Sequence, residues 1–198
     1  MLKLYDQTLS GNCYKARLML SLLRLEYELL PVNLKAGEHK TEQFLQLNPL
    51  GQVPILVDGD VVVRDSQAIL VYLARRYGSE DWLPLEAEAM SKVMQWLSFA
   101  TNDIQYGLAA ARRYYLVNAQ LDIEQAQQKA HQTLQVLNQH LETRNWLECD
   151  RPTIADIACF PYVRLAPDGK VSLKAYPRLF AWIENTKQLP GYVGMPGL

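Results

Sequence analysis

Cysteine is scarce and poorly placed for cross-linking: Cys13, Cys149 and Cys159 are the three in 198 residues. An odd number, widely spaced and with no pair at metal-ligand spacing, argues against a disulfide framework and fits a reducing cytoplasm; no metal is expected. Excess positive charge is also missing. Twenty Lys and Arg face twenty-one Asp and Glu, for a net charge of −1, and there is no long basic run, so no nucleic-acid partner is indicated. Long apolar runs are absent. No segment approaches the roughly eighteen uncharged apolar residues of a membrane span, and Lys3 and Asp6 interrupt the start, so neither a span nor a secretory signal is expected. Internal repeats and low-complexity segments are lacking as well. What remains is ordinary for a soluble globular protein, 49% hydrophobic and 21% charged, and long enough for one large domain or two small ones.

The first third of the chain alternates strand and helix signals. Residues 2–5 alternate as a strand, residues 13–24 place Ala16, Leu20 and Leu23 on one helical face, and residues 27–30 form a second strand ended by Pro31. A polar loop, Lys35 to Lys40, leads into a short helix through Phe44 and Leu47, which Asn48-Pro49 ends because the residue before proline disfavours helix. Residues 55–57 and 61–63, joined by Asp58-Gly59-Asp60, read as an antiparallel hairpin. Residues 66–77 form the next helix, completing a β-α-β-α-β-β-α order. After Gly78 the strand signals stop. A polar linker carries the apolar pair Trp82-Leu83, and residues 89–117 keep apolar positions spaced by threes and fours, a helix of roughly 43 Å at 1.5 Å per residue. Residues 123–141 repeat that pattern. Thr153-Ile154-Ala155-Asp156 has the order of a capping box opening a helix through Phe160, with Pro161 placed to kink or end it. Residues 177–187 form the last helix, followed by a proline- and glycine-rich tail to Leu198. The expected organisation is an α/β domain at 1–78, a linker at 79–88 and an all-α domain at 89–198.

Two features in the first domain describe a site for a peptide-like anion. Proline donates no backbone hydrogen bond, so Pro54 at the head of an apolar run marks a strand start. A cis Val53-Pro54 bond turns the Val53 peptide outward, leaving its N–H and C=O free to pair with an extended ligand. Ser66 then starts a helix whose free N–H groups and positive dipole end attract a carboxylate.

The order of these motifs resembles that of a cytosolic glutathione transferase of the bacterial, theta- and zeta-like kind, over nearly the whole chain. The resemblance rests on Leu4-Tyr5 followed by Ser10-Gly11-Asn12-Cys13-Tyr14-Lys15-Ala16-Arg17-Leu18. It rests also on Asn48-Pro49 with Gln52-Val53-Pro54-Ile55-Leu56, on Asp65-Ser66 with Ala68-Ile69 and Tyr72-Leu73, and on Thr153-Ile154-Ala155-Asp156. It implies a thioredoxin-like domain that binds glutathione, an all-helical domain that forms the pocket for a small hydrophobic electrophile, a homodimer, and a role in detoxification. On that resemblance the Val53 backbone and Pro54 hold the cysteinyl part of glutathione. Ser66 takes the γ-glutamyl carboxylate, Asp65 attracts the amine and Gln52 adds a side-chain bond. His39 and Lys40 are candidates for the glycyl carboxylate, and Gln105 reaches glutathione from the neighbouring subunit. Tyr106, Arg112 and Tyr114 on the long helix wall the electrophile pocket.

A free thiol has a pKa of roughly 8.5, so an enzyme of this kind has to favour the thiolate; two units amount to about 2.7 kcal/mol. Ser10 stands where the theta and zeta classes carry their serine and is the leading donor to sulfur. Asn12 falls where zeta isomerases have a cysteine, and its amide is an alternative donor. Cys13 heads the first helix, where a thiolate is favoured, and opens a route through a mixed disulfide. Tyr5 occupies the place of the tyrosine of the mammalian alpha, mu and pi classes. Ser10-Gly11-Asn12 departs from the Ser-Ser-Cys run of the zeta isomerases. Conjugation to an electrophile is the leading expectation. A glutathione-dependent isomerase, a thiol-disulfide reductase or peroxidase through Cys13, and a non-enzymatic ligand-binding family member stand as alternatives.

Overall fold

A computed structural model of the chain describes residues 1–196; Gly197 and Leu198, which close the expected helical domain, lie outside the described residues. Two compact units emerge. The first comprises Met1–Gly78 together with Pro190–Pro196, and the second Ser79–Leu189.

In the first unit β1 (Leu2–Asp6) pairs parallel with β2 (Tyr27–Pro31) and antiparallel with β3 (Ile55–Asp58), and β3 pairs antiparallel with β4 (Val61–Arg64), giving a four-stranded sheet in the order β2-β1-β3-β4. This is the mixed sheet of a thioredoxin-like domain. Side chains alternate faces along a strand, and the register uses that alternation twice. Leu4 sits opposite Leu56; both are fully buried, as are Leu18 and Leu20 of α1 (Gly11–Leu22) and Ile69, Leu70 and Leu73 of α3 (Ser66–Arg76). Tyr5 sits opposite Ile55 on the other face, where Val32 and Phe44 of α2 (Glu42–Leu47) complete a smaller cluster.

Pro190–Pro196 returns to this unit from the far end of the sequence, a placement the expected boundary at residue 78 does not include. The Tyr14 hydroxyl donates to the Val193 carbonyl at 2.6 Å, Ser21 Oγ donates to the Gly191 carbonyl at 2.7 Å, and Met195 is buried. Gly191 is needed at its place: φ is +92°, and a Cβ there would lie 2.8 Å from the Ser21 carbonyl.

The second unit is helical. The residues expected as linker belong to it: Leu83 is buried, and the Trp82 carbonyl accepts the Ile154 N–H at 3.0 Å. The long helix expected over 89–117 runs as α4 (Ala87–Phe99), a π-helical stretch Ala100–Ala109, and α5 (Ala110–Val117). Within the π stretch the buried apolar positions Ala100, Ile104 and Leu108 are still spaced by fours, so the pattern alone reads as uniform helix. The π stretch lies against α6 (Ile123–His140): a Cβ on Gly107 would meet the Ala130 N at 2.9 Å, and Asp103 forms an ion pair with Lys129. Pro161 does not end α7, which continues from Ile154 to Arg164. Its capping box closes as expected. Asp156, fully buried, accepts the Thr153 N–H at 2.9 Å, the Leu147 N–H at 3.0 Å and the Trp182 indole N–H of α8 (Pro177–Lys187) at 2.9 Å. The Thr153 hydroxyl donates to it as well, at 3.3 Å, and burial raises this carboxyl to about 6 against those four stabilising donors.

Candidate functional site

Two helix starts frame the chemistry of the first unit. At α1 the cap is Ser10, whose hydroxyl oxygen accepts the Cys13 N–H at 3.2 Å. Cys13 itself is fully buried. Its sulfur accepts the Gln7 N–H at 3.4 Å, and desolvation pushes the thiol up to about 12. A buried thiol that holds its proton at neutral pH is a poor nucleophile; the expectation that Cys13 could face the site and form a mixed disulfide meets this obstacle. Nearby, Arg17 Nη1 bridges both carboxylate oxygens of buried Asp6 at 2.5 and 2.6 Å, and burial raises the Asp6 carboxyl against that pairing.

At α3 the helix starts on Ser66, as expected, and the cap before it is Asp65. Asp65 Oδ1 accepts the N–H groups of Gln67 at 2.8 Å and Ala68 at 3.1 Å. Its backbone has φ +75°, a region that side-chain-bearing residues rarely adopt and that costs of order 1–3 kcal/mol. Ser66, only 4% exposed, becomes the first helical residue, and neither its N–H nor its hydroxyl has a partner among the described residues.

Between the sheet and that helix start, a small cavity of about 80 Å3 is lined by Asn12, Asn48, Gln52, Val53, Pro54 and Ser66, with Leu50, Arg64 and Asp65 at its walls. The Val53-Pro54 bond is cis. Strand pairing begins only at Ile55, and the Val53 N–H and C=O make no hydrogen bond among the described residues. Asn48 holds the preceding turn from inside. It is 2% exposed, its amide donates to the Gln52 carbonyl at 2.8 Å, and its side-chain oxygen accepts the Leu50 N–H at 3.1 Å. Gly51, at φ +60°, is required in that turn, because a Cβ would lie 2.8 Å from the His39 carbonyl and 2.9 Å from Lys40 Nζ.

The structure thus brings Gln52, Val53, Pro54, Asp65, Ser66 and Asn12 to one cavity. His39 and Lys40 pack against its supporting turn without lining it, and the His39 Nδ1 is buried without a partner. Ser10 does not line the cavity. Tyr5 turns its ring edge-on to Phe44, with centroids 6.1 Å apart. Three lining residues lie outside the set expected from sequence: Asn48, which read as a helix stop although Asn before a tight turn signals side-chain-to-backbone bonding, Leu50 in that turn, and Arg64, which follows the strand expected at 61–63.

In the second unit Tyr106 is 68% exposed, and Tyr114 stacks edge-on with Tyr115 at 5.0 Å. Arg112 differs from expectation. It is 4% exposed and donates to Asp168 Oδ2 at 2.9 Å, so its guanidinium is committed inside the fold instead of offered to a ligand. Gln105 lies on the π stretch. Among the described residues no cluster of three or more His, Cys, Asp or Glu side chains is arranged to hold a metal, and no helix is long and apolar enough to cross a membrane.

A four-stranded mixed sheet with a cis-proline turn, followed by an all-helical unit, defines a class of two-domain proteins, and comparison with known proteins identifies it. Residues 1–75 match the model of the glutathione S-transferase N-terminal domain, and residues 120–185 that of the C-terminal domain. Glutathione S-transferase 3 of Zea mays is 34% identical over 96% of this chain and 91% of its own length. Disulfide-bond oxidoreductase YfcG of Escherichia coli (strain K12) is 29% identical over 90% of this chain and 87% of its own. Among solved structures, a glutathione S-transferase from Pseudomonas fluorescens superposes with a TM-score of 0.92 at 32% identity, covering 98% of each chain. The chain belongs to the glutathione S-transferase family.

Proposed function

We propose that the protein is an enzyme that binds glutathione in the first unit and adds its thiolate to small hydrophobic electrophiles. The observation that carries this reading is the set of unpaired groups facing one cavity: the Val53 N–H and C=O, the Ser66 N–H and hydroxyl, and the Gln52 and Asn12 side chains. An extended tripeptide supplies a complement for each. Its cysteinyl amide pairs with the Val53 backbone, its γ-glutamyl carboxylate sits on Ser66 at the positive end of α3, and its amine meets Asp65. Arg64 adds a cation at the mouth. His39 and Lys40 lie beside the turn where the glycyl carboxylate would extend, and Gln105 reaches the ligand from a second subunit in a homodimer. Tyr106 and Tyr114 contribute to the electrophile pocket.

Two groups compete to hold the thiolate. The Ser10 oxygen accepts the Cys13 N–H, which leaves its own proton to donate to sulfur. Asn12 lines the cavity directly, and its amide donates without disturbing the helix cap. A hydrogen bond to a charged acceptor contributes about 1.5–3 kcal/mol, enough for most of a two-unit shift.

A second reading draws on the similarity to a disulfide-bond oxidoreductase and, because Cys13 is buried, runs through the thiol of glutathione itself. Here the thiolate of bound glutathione attacks a disulfide, expelling one thiolate. A second glutathione then resolves the mixed disulfide, so that glutathione disulfide leaves and the substrate is reduced by two electrons.

Glutathione-affinity retention and activity with 1-chloro-2,4-dinitrobenzene test the proposal on Ser10→Ala, Asn12→Ala and Cys13→Ala. Retention of the wild type and loss of turnover in Ser10→Ala or Asn12→Ala, with Cys13→Ala active, is the expected pattern. Failure of the wild type to bind glutathione would overturn it. Disulfide reduction without conjugation would select the second reading.

A further inference from the structure

Asp6 at the end of β1 and the two residues after it are each tied to one face of α1, and Arg17 makes two of those three ties. Arg17 Nη1 donates to both carboxylate oxygens of Asp6, at 2.5 and 2.6 Å. The Gln7 N–H donates to Cys13 Sγ at 3.4 Å, and Arg17 Nη2 donates to the Thr8 carbonyl at 2.9 Å. Cys13 and Arg17 stand four positions apart, neighbours on the same helical face, so both reach back over the turn from which α1 grows. That turn ends in Ser10. Its N–H donates to the Gln7 carbonyl at 2.9 Å, and its Oγ accepts the Cys13 N–H at 3.2 Å. The guanidinium is itself confined. The Arg17 side chain is 13% exposed and lies 5.8 Å from the centre of the Tyr14 ring, which is fully buried and bonded through its hydroxyl to the Val193 carbonyl.

An ion pair this deep contributes little net stability, because desolvation of the two charges offsets most of their attraction. What the forked guanidinium supplies is geometry: one planar group fixes a carboxylate with one nitrogen and a carbonyl with the other. Geometry matters at Ser10, since a misplacement of about 1 Å in a group acting on a reacting atom can cost about 100-fold in rate. Asn12, by contrast, lies within α1 itself, where the helix's own bonds set its place. We propose that Arg17 is a positioning residue for conjugation: through Asp6 and Thr8 it holds the turn so that the Ser10 hydroxyl, and not the Asn12 amide, is the group aimed at the glutathione sulfur. The inference rests on the glutathione reading and adds the device that selects between its two candidate donors.

The pH profile of kcat/KM for 1-chloro-2,4-dinitrobenzene at saturating glutathione, with glutathione affinity by calorimetry, tests it on the full chain. Arg17→Lys keeps the charge and loses the fork. It is expected to leave glutathione affinity within about threefold, to lower kcat/KM about tenfold near neutral pH, and to raise the apparent pKa of the bound thiol by about one unit. Asp6→Asn, which keeps an acceptor for Arg17, is expected to move the rate and the pKa in the same directions by less, and carries the test where Arg17→Lys does not fold. The double variant Ser10→Ala/Arg17→Lys is expected to be slower than Ser10→Ala by no more than about twofold, since both changes remove one contribution. An unshifted pKa in folded Arg17→Lys, additive losses in the double variant, or a fully active Ser10→Ala would each overturn the proposal while leaving glutathione binding in place. A wild type that binds no glutathione would overturn the glutathione reading and this inference with it.

Discussion

The starts of α3 and α7 use the same chemistry to opposite ends. At α7 every donor is consumed inside the fold: Asp156 takes the N–H groups of Thr153 and Leu147 and the Trp182 indole, and Thr153 and Asp156 are both fully buried. At α3, Asp65 caps only Gln67 and Ala68, and Ser66, which lines the cavity, has no partner for its N–H or hydroxyl among the described residues. A helix N-terminus is a cluster of unsatisfied donors. Closing it with a buried carboxylate turns it into a staple; capping it from outside leaves it open to an anion. The position of one acidic side chain decides which.

The largest test of that contrast is Asp156→Ala. It strands four buried donors, the Thr153 hydroxyl included, each worth about 1–3 kcal/mol, so a loss of about 3–5 kcal/mol in urea denaturation is expected; a loss under about 1 kcal/mol would mean that water or rearrangement replaces the carboxylate. The pH dependence of the same group comes next. Its carboxyl is raised from 3.8 to about 6 in the folded state, so the folded protein holds the proton more tightly than the unfolded chain. The stability this group confers is therefore full below about pH 4, falls as pH rises through 6, and is flat above; the span is about 3 kcal/mol. Asp156→Asn should remove that slope, which denaturation at pH 4.5 and 7 would reveal as a gap between the two proteins that narrows or reverses with rising pH.

Smaller effects belong to the open start. Asn48→Ala removes the clasp under Gln52 and leaves buried backbone groups unpaired, with an expected cost of about 2 kcal/mol and a clear drop in glutathione affinity by calorimetry. Asp65→Ala should cost about 1 kcal/mol of stability through the lost cap. Ser66→Ala should change stability by no more than about 0.5 kcal/mol yet lower glutathione affinity about tenfold. Should Ser66→Ala instead destabilise as much as Asp65→Ala with affinity intact, the open start is structural like the closed one.

How legible these features were depended on the range of the interaction. The strands and their order could be read because alternation at Leu2 and Leu4, the hairpin at Gly59 and the proline at 54 are local signals, and the α7 box is spelled out over four residues. The start of α3 at Ser66 was legible as well, whereas the capping role of Asp65 rests on a backbone turn at φ +75° that the sequence does not spell out. Arg112 reads as a wall of the electrophile pocket until Asp168, fifty-six positions away, is placed against it. Cys13 illustrates the same limit: its position at a helix start suggests reactivity, whereas its burial, which only the tertiary fold supplies, suppresses it. The Gly107–Ala130 approach under the π stretch is likewise a fact of packing.

The clip between Tyr14 and Val193 spans 179 positions, and its consequence is temporal. On a ribosome the sheet of the first unit can assemble once residue 78 has emerged, yet Met195 and its neighbours do not exist until the whole helical unit has been made. The domain formed first is thus the domain finished last, and for most of its synthesis it carries an open seam along α1 that a chaperone, or a neighbouring nascent chain, is free to occupy.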